Sequence, residues 1–362
     1  MPLPASELSR LAKDAAARAG FELAGIAGLG AFPELDYFPT WIAEGRAGEM
    51  AYLQARDEHN RLKRASLRSV APWARSVVVC ALNYNTAEPY STQLSESQRG
   101  WISRYAWSRR DYHNVVLEKL REVESQLCHI AAQRRRSASD EILTRSYVDT
   151  GPLVERVYAK YAGVGWIGKN TCIINQHLGS WLFLGVIITS LELAPDLPAP
   201  DRCGTCTRCL EACPTQAFTA PYQMDSNRCI AYLTIEKRGS IPESLRPAIG
   251  RQVFGCDICQ DVCPWNRKAP ATSLPDFQPQ PELVNPALDW LAALASPQFA
   301  QTFRGSPLRR AKLSGLRRNA VVAMGNSGNP RLVPALEQLC SDPDPVVAQH
   351  AAWALARLRQ NS

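Results

Sequence analysis

The stretch CGTCTRCLEACPTQAF, residues 203–218, sets four cysteines three, three and four positions apart and follows the last with a proline. A second, incomplete copy of this pattern, GCDICQDVCPWN, occupies residues 255–266. Short gaps let one loop present several thiolates to one inorganic group, and a proline turns the chain away after the last of them. The two segments have to be interpreted together, and they decide the fold of the middle of the chain.

The first copy, C-x2-C-x2-C-x3-C-P, has the spacing of bacterial ferredoxins, in which the fourth cysteine ligates the other of two 4Fe–4S clusters. The second copy lacks its leading cysteine, and Cys229, 27 positions before Cys256, can replace it. The seven cysteines of the two copies and Cys229 then supply eight ligands, four for each cluster. We predict two 4Fe–4S clusters, the first bound by Cys203, Cys206, Cys209 and Cys263, and the second by Cys213, Cys229, Cys256 and Cys259.

Two other uses of these cysteines fit the pattern less well. Two zinc sites would need two C-x2-C pairs each, and the C-x3-C-P endings do not suit zinc. Cysteines that only fill the core would not fall at this spacing. The four cysteines outside the pattern lie in apolar segments and are predicted to be core residues; they are Cys80, Cys128, Cys172 and Cys340.

Length and composition are those of a globular protein, with 362 residues, 46% hydrophobic and 21% charged, which is enough for two or three domains. The first twenty residues contain neither an apolar signal segment nor a twin arginine. The longest apolar run, residues 181–194, is too short to span a bilayer and is predicted to be a buried strand. A cytoplasmic location without membrane attachment is therefore expected, where thiols stay reduced and serve as metal ligands.

The net charge of +7 is unevenly distributed along the chain. Residues 301–362 contain nine Lys and Arg but three Asp and Glu, while the rest is nearly neutral. A basic module on a neutral body indicates a polyanionic partner, although a solvated basic face would have the same composition.

Helices and strands alternate from the first helix to about residue 195. The first helix is expected to begin near Ser6 and end at Gly20, and a later one to have Pro152 at its first position and Gly163 at its C-terminal cap. Residues 171–189 resemble a hairpin of two strands. The other expected elements are strands at 21–28, 75–84 and 141–149 and a long amphipathic helix at 111–133.

Two proline-rich stretches, residues 193–204 and 268–286, mark boundaries. We therefore predict three domains, at residues 1–195, 196–268 and 269–362. The last is internally repetitive, because LRRNAVVAMG from Leu316 matches VAQHAAWALA from Val347 at an offset of 31 residues. Ala320 aligns with Ala351, which predicts a short HEAT-like helical array.

Iron–sulfur clusters move electrons, so the chain needs a further group that receives them. Residues 25–32, GIAGLGAF, give only a partial glycine pattern, and GVGWIGKN at residues 163–170 is not a Walker A loop. The glycines of the second segment can admit a large planar ligand or form a tight turn.

Seven segments together resemble the epoxyqueuosine reductase family over nearly the whole chain. The cysteine motifs alone occur in many ferredoxin-like proteins, but the ordered set is much more specific. The segments are SRYAWSRRDYHNVV (103–116), YVDTGPLVER (147–156), AGVGWIGKNTCIIN (162–175), GSWLFLG (179–185), CGTCTRCLEACPTQAF (203–218), RCIAYLTIEKRG (228–239) and GCDICQDVCPWNR (255–267).

That family is similar to cobalamin-dependent reductive dehalogenases. The resemblance implies an α+β multidomain chain, with an α/β cobalamin-binding domain, a two-cluster ferredoxin-like domain and a C-terminal HEAT-like helical repeat. It also implies reduction of epoxyqueuosine to queuosine at the wobble position of tRNA, the last step of queuosine synthesis. The clusters then pass single electrons to cobalamin, whose cob(I)alamin form attacks an epoxide carbon, and protonation and loss of water leave the alkene.

Asp149, in YVDTGP, matches the proton donor of the family. A carboxyl that donates a proton at neutral pH needs a raised pKa, which burial over an apolar corrin face can provide. The alternative is structural, because DTGP just before a helix is also suited to an N-cap.

The resemblance also implies residues that contact cobalamin. Arg56 matches such a position, and the GWIGKNT and LGS segments match the corrin lining; they contribute Trp166, Lys169, Thr171 and Ser180, beside Asp149 itself. Tyr112 and His113 are weaker candidates that face the substrate. His59 is not expected to be an axial ligand, because Leu62 occupies the position of the glycine in the D-x-H-x-x-G cobalamin motif.

Basic residues near the chain end are predicted to hold the tRNA backbone while an anticodon-loop base reaches the buried corrin. Arginine suits phosphate oxygens because it forms bidentate contacts. The predicted tRNA contacts are Lys237, Arg238, Arg309, Arg310, Lys312, Arg317 and Arg318.

Three other functions compete with this hypothesis. A cobalamin and iron–sulfur reductase of small molecules is disfavoured by the basic repeat tail and by the missing export signal. A plain electron carrier would not need nearly two hundred residues of α/β domain, and a tRNA-binding protein with structural clusters would not need an acid at Asp149. The electron donor is unidentified, and a monomer is expected.

Overall fold

A computed structural model describes residues 3–132 and 141–360. The chain forms two compact units, and each is assembled from separate stretches. Unit 1 takes its described residues from 1–84, 112–206 and 265–270, and unit 2 from 85–111, 207–264 and 271–362. The domain boundaries predicted at residues 195 and 268 stay predictions, because the units are interleaved along the chain. Among the described residues, no helix is both long and apolar enough to cross a membrane.

Unit 1 is built around one four-stranded sheet in which all neighbouring strands are antiparallel. The strands lie side by side in the order Leu23–Ala27, Ser76–Asn83, Leu182–Thr189 and Thr144–Tyr147. Its strands are β1 (Leu23–Ala27), β2 (Ser76–Asn83), β4 (Thr144–Tyr147), β5 (Trp166–Ile167), β6 (Ile173–Ile174) and β7 (Leu182–Thr189), and its helices are α1 (Ala5–Arg18), α2 (Pro33–Ala43), α3 (Leu67–Val70), α4 (Tyr112–Ala132) and α5 (Glu155–Tyr161).

The central strand β2 is buried along its whole length because helices cover both faces of the sheet. Helices α1 and α4 pack on one face, where Gly185 leaves room for Leu120, and α5 packs on the other. A strand covered on both sides is apolar along its buried length, which is why residues 77–82 of β2 are a continuous run of Val, Cys, Ala and Leu. The strands predicted at 21–28, 75–84 and 141–149 are confirmed.

The predicted helix ends are confirmed in part. Gly20 has φ +84 just beyond α1, and Gly163 has φ +72 just beyond α5. The long helix α4 ends at Ala132 in the described part of the chain, and Gln133, the last residue of the prediction, lies outside it. The Pro152 start was wrong, because the chain makes a turn through residues 149–153 and α5 begins at Glu155. That turn buries the Leu153 side chain before the helix can start.

The predicted hairpin at residues 171–189 is also wrong. Ile173 and Ile174 pair with Ile167 and Trp166, not with β7, which lies between β2 and β4 in the main sheet. Local alternation of apolar residues indicates strands but not their partners, because pairing depends on the rest of the sheet.

Unit 2 contains two small strand pairs and a series of helices. Strands β3 (Trp101–Ile102) and β10 (Gln252–Phe254) are parallel, and β8 (Phe218–Ala220) and β9 (Gln223–Met224) are antiparallel. The helices are α6 (Arg208–Glu211), α7 (Ile230–Ile235), α8 (Arg246–Ile249), α9 (Ile258–Asp261), α10 (Leu288–Ala292), α11 (Ser296–Thr302), α12 (Lys312–Asn326), α13 (Val333–Leu339) and α14 (Pro345–Gln360).

The repeat is visible as the contact between α12 and α14. The aligned pair Ala320 and Ala351 is fully buried, and a Cβ on Gly325 would lie 2.7 Å from the Cα of Ala354. Small side chains therefore let the two helix backbones approach closely, and the HEAT-like array predicted from the 31-residue offset is confirmed.

Candidate functional site: an exposed acid and a cysteine segment

Asp149 lies on the turn between β4 and α5, with a left-handed backbone at φ +57. Non-glycine residues take this conformation at an energetic cost, and such positions concentrate at functional sites. The Tyr112 hydroxyl donates a hydrogen bond to Oδ2 of Asp149, and Nε2 of His113 lies 3.7 Å from the same oxygen. The Asp149 side chain is 55% exposed, so any burial of this carboxyl has to come from a bound group.

Tyr112 and His113 belong to the start of α4, and their rings stack with centroids 4.0 Å apart. The Tyr112 ring also stacks on Phe183 at 4.2 Å with an interplanar angle of 2°. This packing fixes the phenol beside Asp149. The structure thus brings these two weaker candidates to the predicted acid.

Glu155 is a second carboxyl at this turn, which the sequence analysis missed. It is only 8% exposed, and its Oε1 accepts a 2.8 Å hydrogen bond from the backbone N–H of Asp149. Burial raises the pKa of the Glu155 carboxyl well above its usual range, and the neighbouring Asp149 charge raises it further. The available signal was the glutamate six residues after Asp149, at the start of a helix.

Residues 163–175 form a tight loop around β5 and β6. A Cβ on Gly165 would lie 2.5 Å from the Ile174 carbonyl oxygen, and one on Gly168 would lie 2.4 Å from the Ile174 side chain. The Trp166 ring is buried edge-on against Trp265 at 5.0 Å. Within the described part of the chain, its indole N–H meets no hydrogen-bond acceptor. A buried donor without an acceptor is costly, so this position fits a ligand that carries one.

The other predicted cobalamin contacts lie in different surroundings. Lys169 Nζ donates to the carbonyl oxygens of Gly204 and Cys206, so its side chain is directed to the cysteine segment. Ser180 is buried and paired twice with Asn266.

Two further predicted contacts lie on loops. Thr171 has a left-handed backbone at φ +63. Arg56 is exposed and donates to the Asn60 carbonyl, on a loop where His59 is also exposed.

The second cysteine group has structural support within unit 2. Burial and the nearby thiols of Cys229 and Cys213 raise the pKa of the Cys256 thiol well above its usual range. Three predicted ligands of cluster two, each half-buried, therefore lie close together. A raised pKa means that the thiolate charge is costly at this place. Iron would take the place of the thiol proton and compensate that charge. All twelve cysteines lie in the described part of the chain, and none of them forms a disulfide.

In residues 3–132 and 141–360, no three Cys, His, Asp or Glu side chains converge on a point that suits one metal ion. A zinc ion needs such convergence, with sulfur atoms about 2.3 Å from the metal. A 4Fe–4S cluster binds each thiolate to a different iron, so its ligands stand farther apart.

A buried polar network surrounds the cysteine segment in unit 2. The Asp257 carboxylate accepts hydrogen bonds from Trp101 Nε1, Ser103 Oγ and the Arg104 backbone N–H. The Arg104 guanidinium donates to the carbonyl oxygens of Thr86, Glu88 and Pro89. The SRYAW segment thus fixes the backbone next to Cys256, a role that the sequence did not reveal.

The predicted tRNA contacts divide into exposed and buried residues. Arg318 is 1% exposed, and its guanidinium donates to the carbonyl oxygens of Leu233, Lys237 and Gly239, so its assignment as a tRNA contact was wrong. A buried guanidinium that satisfies backbone carbonyls cannot reach a phosphate.

Arg317 is largely covered and paired with Asp342, which neutralises its charge. Arg310 pairs with Glu236 but stays half exposed. Four residues remain exposed or half-buried on the same unit: Lys237, Arg238, Arg309 and Lys312.

Comparison with known proteins extends this picture to the whole chain. The family model "Epoxyqueuosine reductase QueG, DUF1730" matches residues 64–150, the 4Fe–4S double cluster binding domain matches 202–266, and HEAT repeats match 308–362. Epoxyqueuosine reductase of Xanthomonas campestris pv. campestris is 38% identical over 360 residues, which cover 98% of this chain and 97% of the relative. The chain belongs to the epoxyqueuosine reductase family. This confirms the oxidoreductase class and the activity predicted from the sequence.

Other members of the epoxyqueuosine reductase family are also similar to this chain in sequence and in structure. The enzyme of Synechocystis sp. is 45% identical over 283 residues, covering 78% of this chain and 92% of the relative. The crystal structure of an epoxyqueuosine reductase with a tRNA-Tyr epoxyqueuosine-modified stem loop superposes with TM-score 0.85 at 31% identity, covering 97% of this chain and 90% of that chain. The enzyme of Streptococcus thermophilus gives 0.82 at 28% identity, covering 98% and 90%. The predicted α+β fold class is confirmed.

Proposed function

We propose that this member of the epoxyqueuosine reductase family reduces epoxyqueuosine to queuosine at the wobble position of tRNA with Asp149 as the acid. The observation that supports the proposal is the turn that carries Asp149. Its backbone is left-handed, and its exposed carboxylate accepts a hydrogen bond from Tyr112, beside His113. Opening an epoxide leaves an alkoxide, which needs a proton from a group within hydrogen-bond reach. A tRNA nucleoside substrate also implies a cytoplasmic enzyme.

The electrons would come through two 4Fe–4S clusters. Cluster two would be held by Cys213, Cys229, Cys256 and Cys259, of which the first two lie close enough to Cys256 to affect its thiol. Cluster one, with Cys203, Cys206, Cys209 and Cys263, rests on the ferredoxin spacing alone. The match of residues 202–266 to the double cluster domain supports both.

Cobalamin, when bound, supplies a reduced cobalt centre that is nucleophilic enough to open an epoxide. The chain offers it the Trp166 indole N–H, which would donate to an amide carbonyl on the corrin rim. Arg56 and Thr171 are retained as further contacts. Ser180 would act through Asn266, because its backbone N–H and its hydroxyl are both already paired with that residue. Lys169 is better explained as a support for the cysteine segment.

The tRNA would be held by the exposed cations of unit 2, namely Lys237, Arg238, Arg309, Arg310 and Lys312. Their charges would pair with backbone phosphates and give affinity without reading sequence. The solved complex of a relative with a modified stem loop supports tRNA as the partner. The donor is a one-electron reductant that remains unidentified, and the enzyme is proposed to be a monomer.

The experiment uses anaerobically purified chain reconstituted with iron, sulfide and cobalamin. Iron and cobalt are counted per chain, and tRNA that carries epoxyqueuosine is added with a chemical reductant. About eight irons, one cobalt and queuosine in the digested tRNA are expected. Eight irons without cobalt and without queuosine would leave an electron-transfer protein on the scaffold of this family.

A further inference from the structure

Glu155 and Asp149 form a pair of carboxyls in two different environments. Asp149 is 55% exposed, whereas Glu155 is 8% exposed at the first residue of α5. The Asp149 backbone N–H donates to Glu155 Oε1 at 2.8 Å, so the two side chains are neighbours at one turn, and the Asp149 charge helps to raise the pKa of Glu155. Two neighbouring carboxyls keep a proton more readily than one alone, because both cannot ionise cheaply side by side.

The reaction needs more protons than Asp149 can supply alone. Converting an epoxide to an alkene breaks both C–O bonds, forms the C=C bond and releases the oxygen as water. That change consumes two electrons, which the reductase activity provides, and two protons. Asp149 holds one proton at a time, so it has to be reprotonated within each turnover.

The neighbours of Asp149 differ in their ability to resupply it. His113 Nε2 is 3.7 Å away, which exceeds hydrogen-bond distance. Tyr112 donates a hydrogen bond to Asp149, but an ordinary phenol has a pKa of about 10 and is a weak acid. A carboxylic acid is stronger, and Glu155 is held next to Asp149 by its hydrogen bond from the Asp149 backbone N–H.

We propose that Glu155 is a buried proton reservoir that reprotonates the neighbouring Asp149 carboxyl and so supplies the second proton of each turnover. This inference rests on the proposed function. Glu155 acts through Asp149 and does not touch the substrate, so it is a positioning and proton-supplying residue. After it gives up its proton, the Glu155 carboxylate is buried, with the Arg64 charge nearby as partial compensation, and it therefore takes up a proton again.

The protonation of Glu155 can be measured without turnover. The infrared C=O stretch of a protonated carboxylic acid is recorded on the full reconstituted chain at neutral pH, for wild type and Glu155→Gln. We expect a band in wild type that is absent from the variant. Glu124→Gln is the control, because Glu124 accepts from Ser146 and should leave the band unchanged. If the wild-type band is missing at neutral pH, Glu155 is ionised and the reservoir is overturned.

Turnover with epoxyqueuosine tRNA gives a second, independent test. Glu155→Gln keeps an acceptor for the Asp149 N–H but cannot release a proton. Its rate at neutral pH should fall at least about tenfold, and the alkaline limb of the pH–rate profile should move down by about one pH unit or more. A purely structural role would lower the rate by the same factor at every pH, which would overturn the inference.

Failure of the proposed function and failure of the proton reservoir give different results. If wild type forms no queuosine, the proposed function is wrong and the reservoir falls with it. If wild type forms queuosine and Glu155→Gln retains its alkaline limb, only the reservoir is wrong. Should Glu155→Gln not fold, Asp149→Asn replaces it in the infrared experiment. Removing the Asp149 charge should shift the titration of the Glu155 band to lower pH, and an unchanged midpoint would overturn the inference.

Discussion

The Nζ atom of Lys169 lies 3.0 Å from the carbonyl oxygen of Cys206 and thus ties the 163–175 loop to the cysteine segment. A second bond of 2.7 Å reaches the Gly204 carbonyl. Both acceptors lie in the first turn of the predicted ligand motif. An ammonium at this place affects the backbone that carries the ligands and also the electrostatic potential around them.

Lys169→Met should lower the midpoint potential of one 4Fe–4S cluster. Reduction adds negative charge to a cluster, and a nearby ammonium stabilises that charge. Its removal should lower the potential by tens of millivolts, on the order of one charge acting through a partly solvated medium. A redox titration followed by electron paramagnetic resonance measures the change. Lys169→Arg keeps the charge and should stay close to wild type, and equal potentials in all three proteins would contradict the prediction.

Asp149→Asn should abolish turnover without loss of tRNA binding. Asparagine tolerates the left-handed backbone at this position but cannot donate a carboxyl proton. The rate of queuosine formation should fall by about 10²–10⁴-fold. Asp14→Asn, which removes an exposed partner of Arg10, is the matched control and should remain active. Near-normal activity of Asp149→Asn would assign the acid to another residue.

Arg318→Met should destabilise the protein rather than weaken tRNA contacts directly. The substitution removes the donors for the carbonyl oxygens of Leu233, Lys237 and Gly239. The free energy of unfolding should drop by about 3–5 kcal/mol. Arg309→Met makes the same chemical change at an exposed residue and should cost less than about 0.5 kcal/mol. Urea titrations of both variants decide the matter, and equal stabilities would show that the Arg318 network contributes little.

The double variant Arg309→Gln, Lys312→Gln should weaken tRNA binding and reduce its salt dependence. Each phosphate contact that is lost should lower the slope of log affinity against log salt by about one. Filter binding at several salt concentrations measures that slope. Arg10→Gln, an exposed change on unit 1, should leave it unchanged. A slope that does not change would place the tRNA elsewhere.

His350 should make the stability of the helical array depend on pH. Burial lowers the pKa of His350 to about 4, and its Nε2 accepts the Ile241 N–H, which only neutral imidazole can do. Because the unfolded chain binds the proton more readily, this stability is complete above about pH 6.5 and is lost as pH falls towards 4. At about pH 5 the loss should reach about 2 kcal/mol.

Urea unfolding of wild type and His350→Gln at about pH 7.5 and about pH 5 isolates this contribution. The variant has no group that titrates at this position, so its own loss of stability should be smaller by that amount. Parallel pH dependence in the two proteins would mean that His350 is not the group responsible.

Much of the site was predictable because its chemistry depends on spacing. The cysteine intervals predicted the clusters because they are a local pattern, whereas Asp149 was chosen as the acid through the family resemblance of YVDTGP, and that role stays a prediction. Glu155 and Arg318 were missed or misassigned because each is charged and lies in a sequence typical of a surface helix. Their burial depends on distant segments, which periodicity does not report. The predicted hairpin partners were wrong for the same reason, because Ile173 pairs with Ile167 and not with the strand that follows it.

The segment of residues 85–111 belongs to unit 2, although unit 1 precedes and follows it along the chain. Trp101 and Ile102 pair with β10, which begins at Gln252. During synthesis these residues leave the ribosome long before their partner exists, and at normal elongation rates the delay is on the order of ten seconds. Throughout that interval the two residues, fully buried in the finished protein, remain uncovered. Completion of this unit is therefore a late event in the life of the nascent chain.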